Sequence, residues 1–194
     1  ENLLTALATS AAIAFENARL YKFELARRKQ AETLRTATTS LSAALDLQTL
    51  YQIILDSIAN LVPYERASIE VMNRGCREIV AVHGPAAANH PVGQKYPWDS
   101  DRWGEWSDLW KSRRKPLFFR DVESESWFIE NHHNEMFRSW MGIPIIIRDK
   151  VFGLIHLDHR KPNFYTEEHA ALAQTFASQA GIAIEKTQLY QAAL

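Results

Sequence analysis

The chain of 194 residues is 46% hydrophobic and 23% charged, with a formal net charge of -1. That balance supports a sizeable core and leaves no basic field for gathering nucleic acid. Its single cysteine, Cys76, excludes an internal disulfide and suits a reducing compartment, while no apolar run approaches the roughly 20 residues of a bilayer crossing; a cytoplasmic chain without membrane contact is expected.

No proline precedes Pro63 and no glycine precedes Gly75, so the Ala-, Leu-, Glu- and Arg-rich beginning of the chain predicts a helix of unusual length. Apolar or small residues fall at Leu4, Leu7, Ala11, Ala14, Ala18, Tyr21 and Leu25 in the four-three spacing of a coiled-coil seam. After "ELARRKQAE" the seam resumes in a shifted frame at Ala31, Leu34, Thr38, Leu41 and Leu45. Such stripes need a cover, either the helix's own domain or a partner helix. The polar interval "KFELARRKQAE" favours a parallel homodimer, with Leu7, Ala11, Ala14, Tyr21, Leu25, Leu34 and Leu41 as its contact residues. This helix also carries a repeat: "LATSAAIAFENARLYK" at 7–22 matches "FASQAGIAIEKTQLYQ" at 176–191 in seven of sixteen positions, as expected of an array of similar modules.

Asp46 is placed to cap a second helix, "LQTLYQIILDSIANLV", whose Leu50, Ile53, Ile54, Ile58 and Leu61 form one apolar face and which Pro63 ends. "RASIEVMN" and "REIVAVHG" read as strands joined by a turn at "RGC". A Pro- and Trp-rich stretch follows, then a strand at "KPLFFRDV" and a short helix at "SWFIENHHNEMFRSW". Two strands, "GIPIIIRD" and "KVFGLIHLDHR", are predicted to meet in a tight Asp149-Lys150 turn. The last helix opens at Thr166, with two acids in its first turn, and runs from about residue 167 to the end.

This order resembles the GAF domain family. "SWMGIPIIIRDKVFGLIHL" resembles its central hairpin, with a proline in the first strand and a glycine early in the second. "NFYTEEHAALAQTFASQAGIAIEKTQLY" resembles its closing helix, and "LDLQTLYQIILDSIANLV" its opening helix. The resemblance implies an α+β fold, a GAF-like (profilin/PAS-like) central antiparallel sheet with the opening and closing helices on one face and a small-molecule pocket on the other. Residues 46–194 would form this domain. Residues 1–45 would be a signalling helix that includes the end of an upstream GAF domain, making a tandem pair.

The family's pocket lies between the sheet and a variable region, here about residues 84–138, which holds Trp98, Trp103, Trp106, Trp110 and Trp127. These rings either wall a planar ligand or close a small core. In "GLIHLD", alternation puts Leu154, His156 and Asp158 on one face and Ile155 and Leu157 on the other. The apolar pair belongs against the helices, so His156 and Asp158 face the pocket. The candidate ligand-binding residues are Trp98, Trp103, Trp106, His132, His133, His156 and Asp158. Convergence of the histidines on a metal or haem is the lesser alternative, and neither a metal site nor a catalytic residue is expected.

Within the family, cyclic-nucleotide binding is a further alternative: its pattern survives only in part at His159-Arg160, Phe164 and Glu168-His169, with a possible Arg160–Glu168 pair. A covalent bilin is not expected, because Cys76 sits in the wrong hairpin, and one thiol cannot run a methionine-sulfoxide reductase cycle. The expected function is that of a non-catalytic sensor in a two-component or similar signalling protein. It would bind a small molecule of unknown identity and signal through a homodimer of the N- and C-terminal helices to an output domain such as a histidine kinase. A ligand-free dimerisation spacer is the alternative.

Overall fold

The computed structural model describes residues 2–41, 44, 46–73, 75–87, 91–97, 114–125 and 136–193. In chain order the elements are α1 (Asn2–Leu41), α2 (Leu47–Ile58), β1 (Arg66–Asn73), β2 (Cys76–His83), β3 (Lys95–Pro97), β4 (Leu117–Phe119), a 3-10 turn (Val122–Ser124), β5 (Ser139–Ile147), β6 (Lys150–His159) and α3 (Glu167–Ala192). These divide into two compact units, Glu1–Thr36 and Ala37–Leu194.

The first unit is helical throughout, as a breaker-free sequence requires. Glu16–Arg19, Glu24–Arg28 and Glu32–Arg35 pair along its surface with the acid on the N-terminal side, the better orientation against the helix dipole. Of its described apolar residues Leu7, Phe15, Tyr21 and Leu25 are exposed, and Leu34 is half-buried.

In the second unit, α2 begins where Asp46 accepts a hydrogen bond from the Thr49 amide at 2.8 Å, satisfying one of the free amides of the first turn. The helix buries Leu50, Tyr51, Ile54, Leu55 and Ile58. At its far end the Tyr64 hydroxyl donates to the Leu55 carbonyl at 2.6 Å and meets His83 Nδ1 at 2.7 Å, tying the helix exit to β2. Thr166 caps α3 by accepting from the His169 amide.

All strand pairs are antiparallel, in the order β3-β2-β1-β6-β5-β4. One face of the central strands is apolar: Ala67, Ile69, Met141, Ile143, Ile145, Ile155 and Leu157 are completely buried. This face receives α2 and α3, whose Phe176, Ala177, Ala180 and Ile184 complete the core. Burial of each large side chain here contributes about 1.5–3 kcal/mol relative to exposure. Two glycines set the close spacings. A Cβ at Gly153 would run into the Glu70 carbonyl of β1, and one at Gly181 would stand 2.6 Å from the Ile146 carbonyl oxygen of β5.

The helices-on-one-face α+β architecture agrees with the sequence, and the differences are local. The β5–β6 turn is Arg148-Asp149, one residue earlier than predicted, with both residues at positive φ, 48° and 63°. That is the backbone twist a two-residue hairpin prefers, here adopted without glycine. Arg148 is held by Glu185 at 2.5 Å and Asp149 by Arg114 at 3.0 Å. Strand β5 begins at Ser139, so Ser139 and Trp140, predicted at the end of a short helix, are strand residues, and residues 136–138 are not helical either; the rest of that predicted helix, 126–135, lies outside the described residues. Strand β3 was not anticipated in the Pro-rich stretch, and pairs at the sheet edge, where proline is tolerated.

Candidate functional site

The other face of the sheet is polar at its centre although it is buried. Across β1, β6, β5 and β4, the register aligns Arg66, Asp158, Trp140 and Phe119 in one row. The next row holds Ser68, His156 and Gly142, and the next Glu70, Leu154 and Pro144. Paired residues share a face, so β1 and β6 place Arg66, Glu70, His156 and Asp158 together. Arg77 joins them from β2. Every one of these five is at most 5% exposed.

Charge at this depth is tolerable only when it is paired. Arg66 Nε bonds Asp158 Oδ2 at 2.8 Å, and the Arg66 guanidinium lies 4.5 Å from the Phe137 ring centre. Arg77 Nη1 bonds Glu70 Oε2 and lies against Tyr96. His156 Nε2 is 3.5 Å from the same Glu70 oxygen. On its other side the imidazole meets Trp140 at 5.4 Å between ring centres, and Trp140 stacks on Phe119 at 5.4 Å. Phe119, Val122, Trp140 and Leu154 form a small apolar cluster beside the charges.

His156 has two small neighbours. Ser68 and Gly142 flank it in register on β1 and β5, so neither adjacent strand raises bulk beside the imidazole. The imidazole stands between an acid on one side and an indole on the other. Near Asp158, burial of Tyr165, with Asp158 and Glu65 adding to it, pushes its phenol far above the ordinary range. It stays protonated, and among the described residues its hydroxyl has no hydrogen-bond partner. Beyond β6, His159 stacks on Phe164 and its Nδ1 accepts from the Lys161 amide at 3.0 Å. Burial lowers its pKa, with Glu65 acting in the opposite direction. Arg160 pairs with Glu65 at 2.9 Å, a correction to the expected Arg160–Glu168 pair: the carboxylate comes from the segment entering β1 rather than from α3.

Of the residues predicted for ligand binding, His156 and Asp158 stand on this face. Trp98, Trp103, Trp106, His132 and His133 lie outside the described residues, as do Trp110 and Trp127. Of the seam residues, Leu7, Ala11, Ala14, Tyr21 and Leu25 are exposed on the first unit, Leu34 is half-buried, and Leu41 is buried in the second unit. There Leu41 borders a groove of about 330 Å3 with Ile182, Ala183 and Tyr190 of α3. Among the described residues no three His, Cys, Asp or Glu side chains gather as a metal site. Sequence reasoning missed Arg66, Glu70, Arg77 and Trp140. The signal for two of them was present in "RASIE", whose alternate residues Arg66, Ser68 and Glu70 are all polar.

A buried polar face opposite a helix-covered apolar one, on a six-stranded antiparallel sheet, defines a GAF-like α+β module. The sequence matches the GAF domain over residues 44–185, and the chain belongs to the GAF domain family, a sensory and regulatory fold. Among solved structures it is similar to the chromophore-binding domain of the bacteriophytochrome RpBphP3 from R. palustris, with a TM-score of 0.72 and 15% identity over 87% of this chain and 63% of that one. It is also similar to the GAF domain of an Acinetobacter phosphoenolpyruvate-protein phosphotransferase, with a TM-score of 0.66 and 18% identity over 83% of this chain and 95% of that one. A longer RpBphP3 structure gives a TM-score of 0.71 and 13% identity over 84% of this chain and 38% of that one. The chain thus spans less than two thirds of either bacteriophytochrome structure, and at these identities the likeness shows the fold alone. No helix among the described residues is long and apolar enough to cross a membrane.

Proposed function

We propose that this GAF domain is a non-catalytic cytoplasmic sensor that binds a small molecule over the polar face and passes the event to an output domain, such as a histidine kinase, through its terminal helices. The observation that carries the reading is the concentration of Arg66, Glu70, Arg77, His156 and Asp158, all buried, on one face of the central strands. Buried ion pairs contribute little to stability against an apolar replacement of the same volume, so a face built from them is better explained by recognition. The setting of His156 between Glu70 and Trp140 suits a ligand with a planar ring for the indole and polar edges for the imidazole and the carboxylate.

Transmission follows from the alternation of the strands. Ser68 and His156 face the ligand while their neighbours Ile69 and Ile155 face the core, so a ligand that favours one strand position shifts what α2 and α3 rest on. The exposed Ile182, Leu189 and Tyr190 of α3 and Leu7, Tyr21 and Leu25 of α1 supply apolar surface for a homodimer. One observation favours the alternative of a ligand-free spacer: Arg66 with Asp158, and Arg77 with Glu70, satisfy one another inside the protein. Native mass spectrometry of the chain purified from its own host separates the two. A stoichiometric small molecule that His156→Ala releases is the expected result. Repeated absence of any bound mass, with His156→Ala lowering only stability, supports the spacer.

A further inference from the structure

At the exit of α2, three side chains close a small circuit between the helix, the sheet and the segment that joins them. The Tyr64 hydroxyl lies 2.6 Å from the Leu55 carbonyl oxygen and 2.7 Å from His83 Nδ1. On the other edge of the imidazole, His83 Nε2 stands 3.1 Å from Asp56 Oδ1. Leu55 and Asp56 both belong to α2, and His83 is the last residue of β2. The protons of this circuit can be counted. A carbonyl and a carboxylate only accept, so the single Tyr64 proton goes to Leu55 and the phenol oxygen accepts from Nδ1. Both ring nitrogens then donate, which imidazole does only as the cation. Burial, with Asp56 adding to it, pushes the Tyr64 phenol above its ordinary range, so that proton is not the one that leaves. A neutral ring breaks the circuit in either tautomer. With its proton on Nε2, the ring draws the Tyr64 proton away from Leu55; with its proton on Nδ1, it turns a lone pair toward Asp56. Each way α2 gives up one of its two ties.

We propose that His83 is a proton-operated latch, which holds the exit of α2 to the end of β2 by two ties as the imidazolium and by one as the neutral ring. The surrounding ionisable groups leave this role to Asp56 and Tyr64. Asp56 is the only carboxylate of α2, Glu65 of the joining segment pairs with Arg160, and β1 sets Ala67 opposite His83. The His83 side chain is 43% exposed, so solvent protons reach it. The start of α2 is held separately, by Gln48 Nε2 donating to the Val80 carbonyl at 3.1 Å, and the latch therefore acts on the exit alone. Ala67 belongs to the apolar face of the sheet, so this input is distinct from a ligand over the polar face and stands without one.

Backbone amide exchange of the 194-residue chain, followed by NMR, tests the latch. Asn60, Leu61 and Val62, whose amides bond the Ser57 and Ile58 carbonyls at the helix exit, report it, and the amides of β6 serve as the reference for global opening. After correction for the intrinsic pH dependence of exchange, protection at the exit relative to β6 is expected to fall about two- to fivefold between about pH 5.5 and about pH 8, the effect of one half-exposed charged contact. His83→Gln fixes the protonation state and is expected to abolish the fall. Asp56→Asn is expected to abolish it too, because its amide can donate to a neutral Nε2. Both positions are open to solvent, and both variants are expected to fold. A parent whose relative protection does not change with pH, or a fall that persists in either variant, overturns the proposal.

Discussion

The two faces of the sheet are both buried and are made of opposite materials. The apolar face is additive: each of Ile69, Ile143, Ile155 and Leu157 contributes by leaving water, and none requires a particular partner. The polar face is conditional, because Arg66 is tolerable only while Asp158 is there, and Glu70 only beside Arg77. A fold needs a face of the first kind to exist. The second kind adds specificity of shape and charge without a comparable gain in stability, which is why it is the better candidate for function.

The largest expected effect tests that conditionality. Arg66→Met strands the buried Asp158 carboxylate and is expected to lower the unfolding free energy by about 3–5 kcal/mol. Arg66→Met combined with Asp158→Leu should recover most of that loss in urea titrations. A double variant as unstable as the sum of its singles would erase the distinction between the faces. Next in size, Ile143→Ala opens a cavity on the apolar face and should cost about 2–5 kcal/mol, with no partner substitution able to restore it except a larger apolar side chain. A smaller effect is predicted at the helix start: Thr166→Ala removes the cap of α3 and is expected to cost about 1 kcal/mol, measurable as a shift of the same midpoint.

The smallest concerns pH. Burial holds the His159 pKa below its usual 6.5, so as pH falls through that value the unfolded chain takes up the proton first. Stability from this group is full above the ordinary value and declines below it. His159→Phe should flatten this part of the stability profile between neutral and mildly acidic pH; an unchanged slope would mean the ring is not desolvated.

The sequence signals that proved reliable were local. Asp46 and Thr166 mark helix starts because a side-chain oxygen must meet a free amide nearby, and the alternation in "GLIHLD" correctly separates His156 and Asp158 from Ile155 and Leu157. The polar face was harder to read. Alternating polar residues in "RASIE" are what a solvent-facing strand also shows, and only the pairing of β1 with both β2 and β6 reveals that Arg66 and Glu70 are central and covered. The turn at Arg148-Asp149 slipped by one residue because positive φ without glycine leaves no mark in the sequence. Trp140 reads as helical in the sequence because its strand begins earlier than the apolar run that announces it.

The most direct measurement compares native mass spectra of the host-purified parent, Ile143→Ala, and the double variant Glu70→Leu with Arg77→Met. A bound small molecule is expected in the parent and in Ile143→Ala, with its loss from the double variant while that protein remains folded. An empty parent, or a bound mass that survives removal of Glu70 and Arg77, would contradict it.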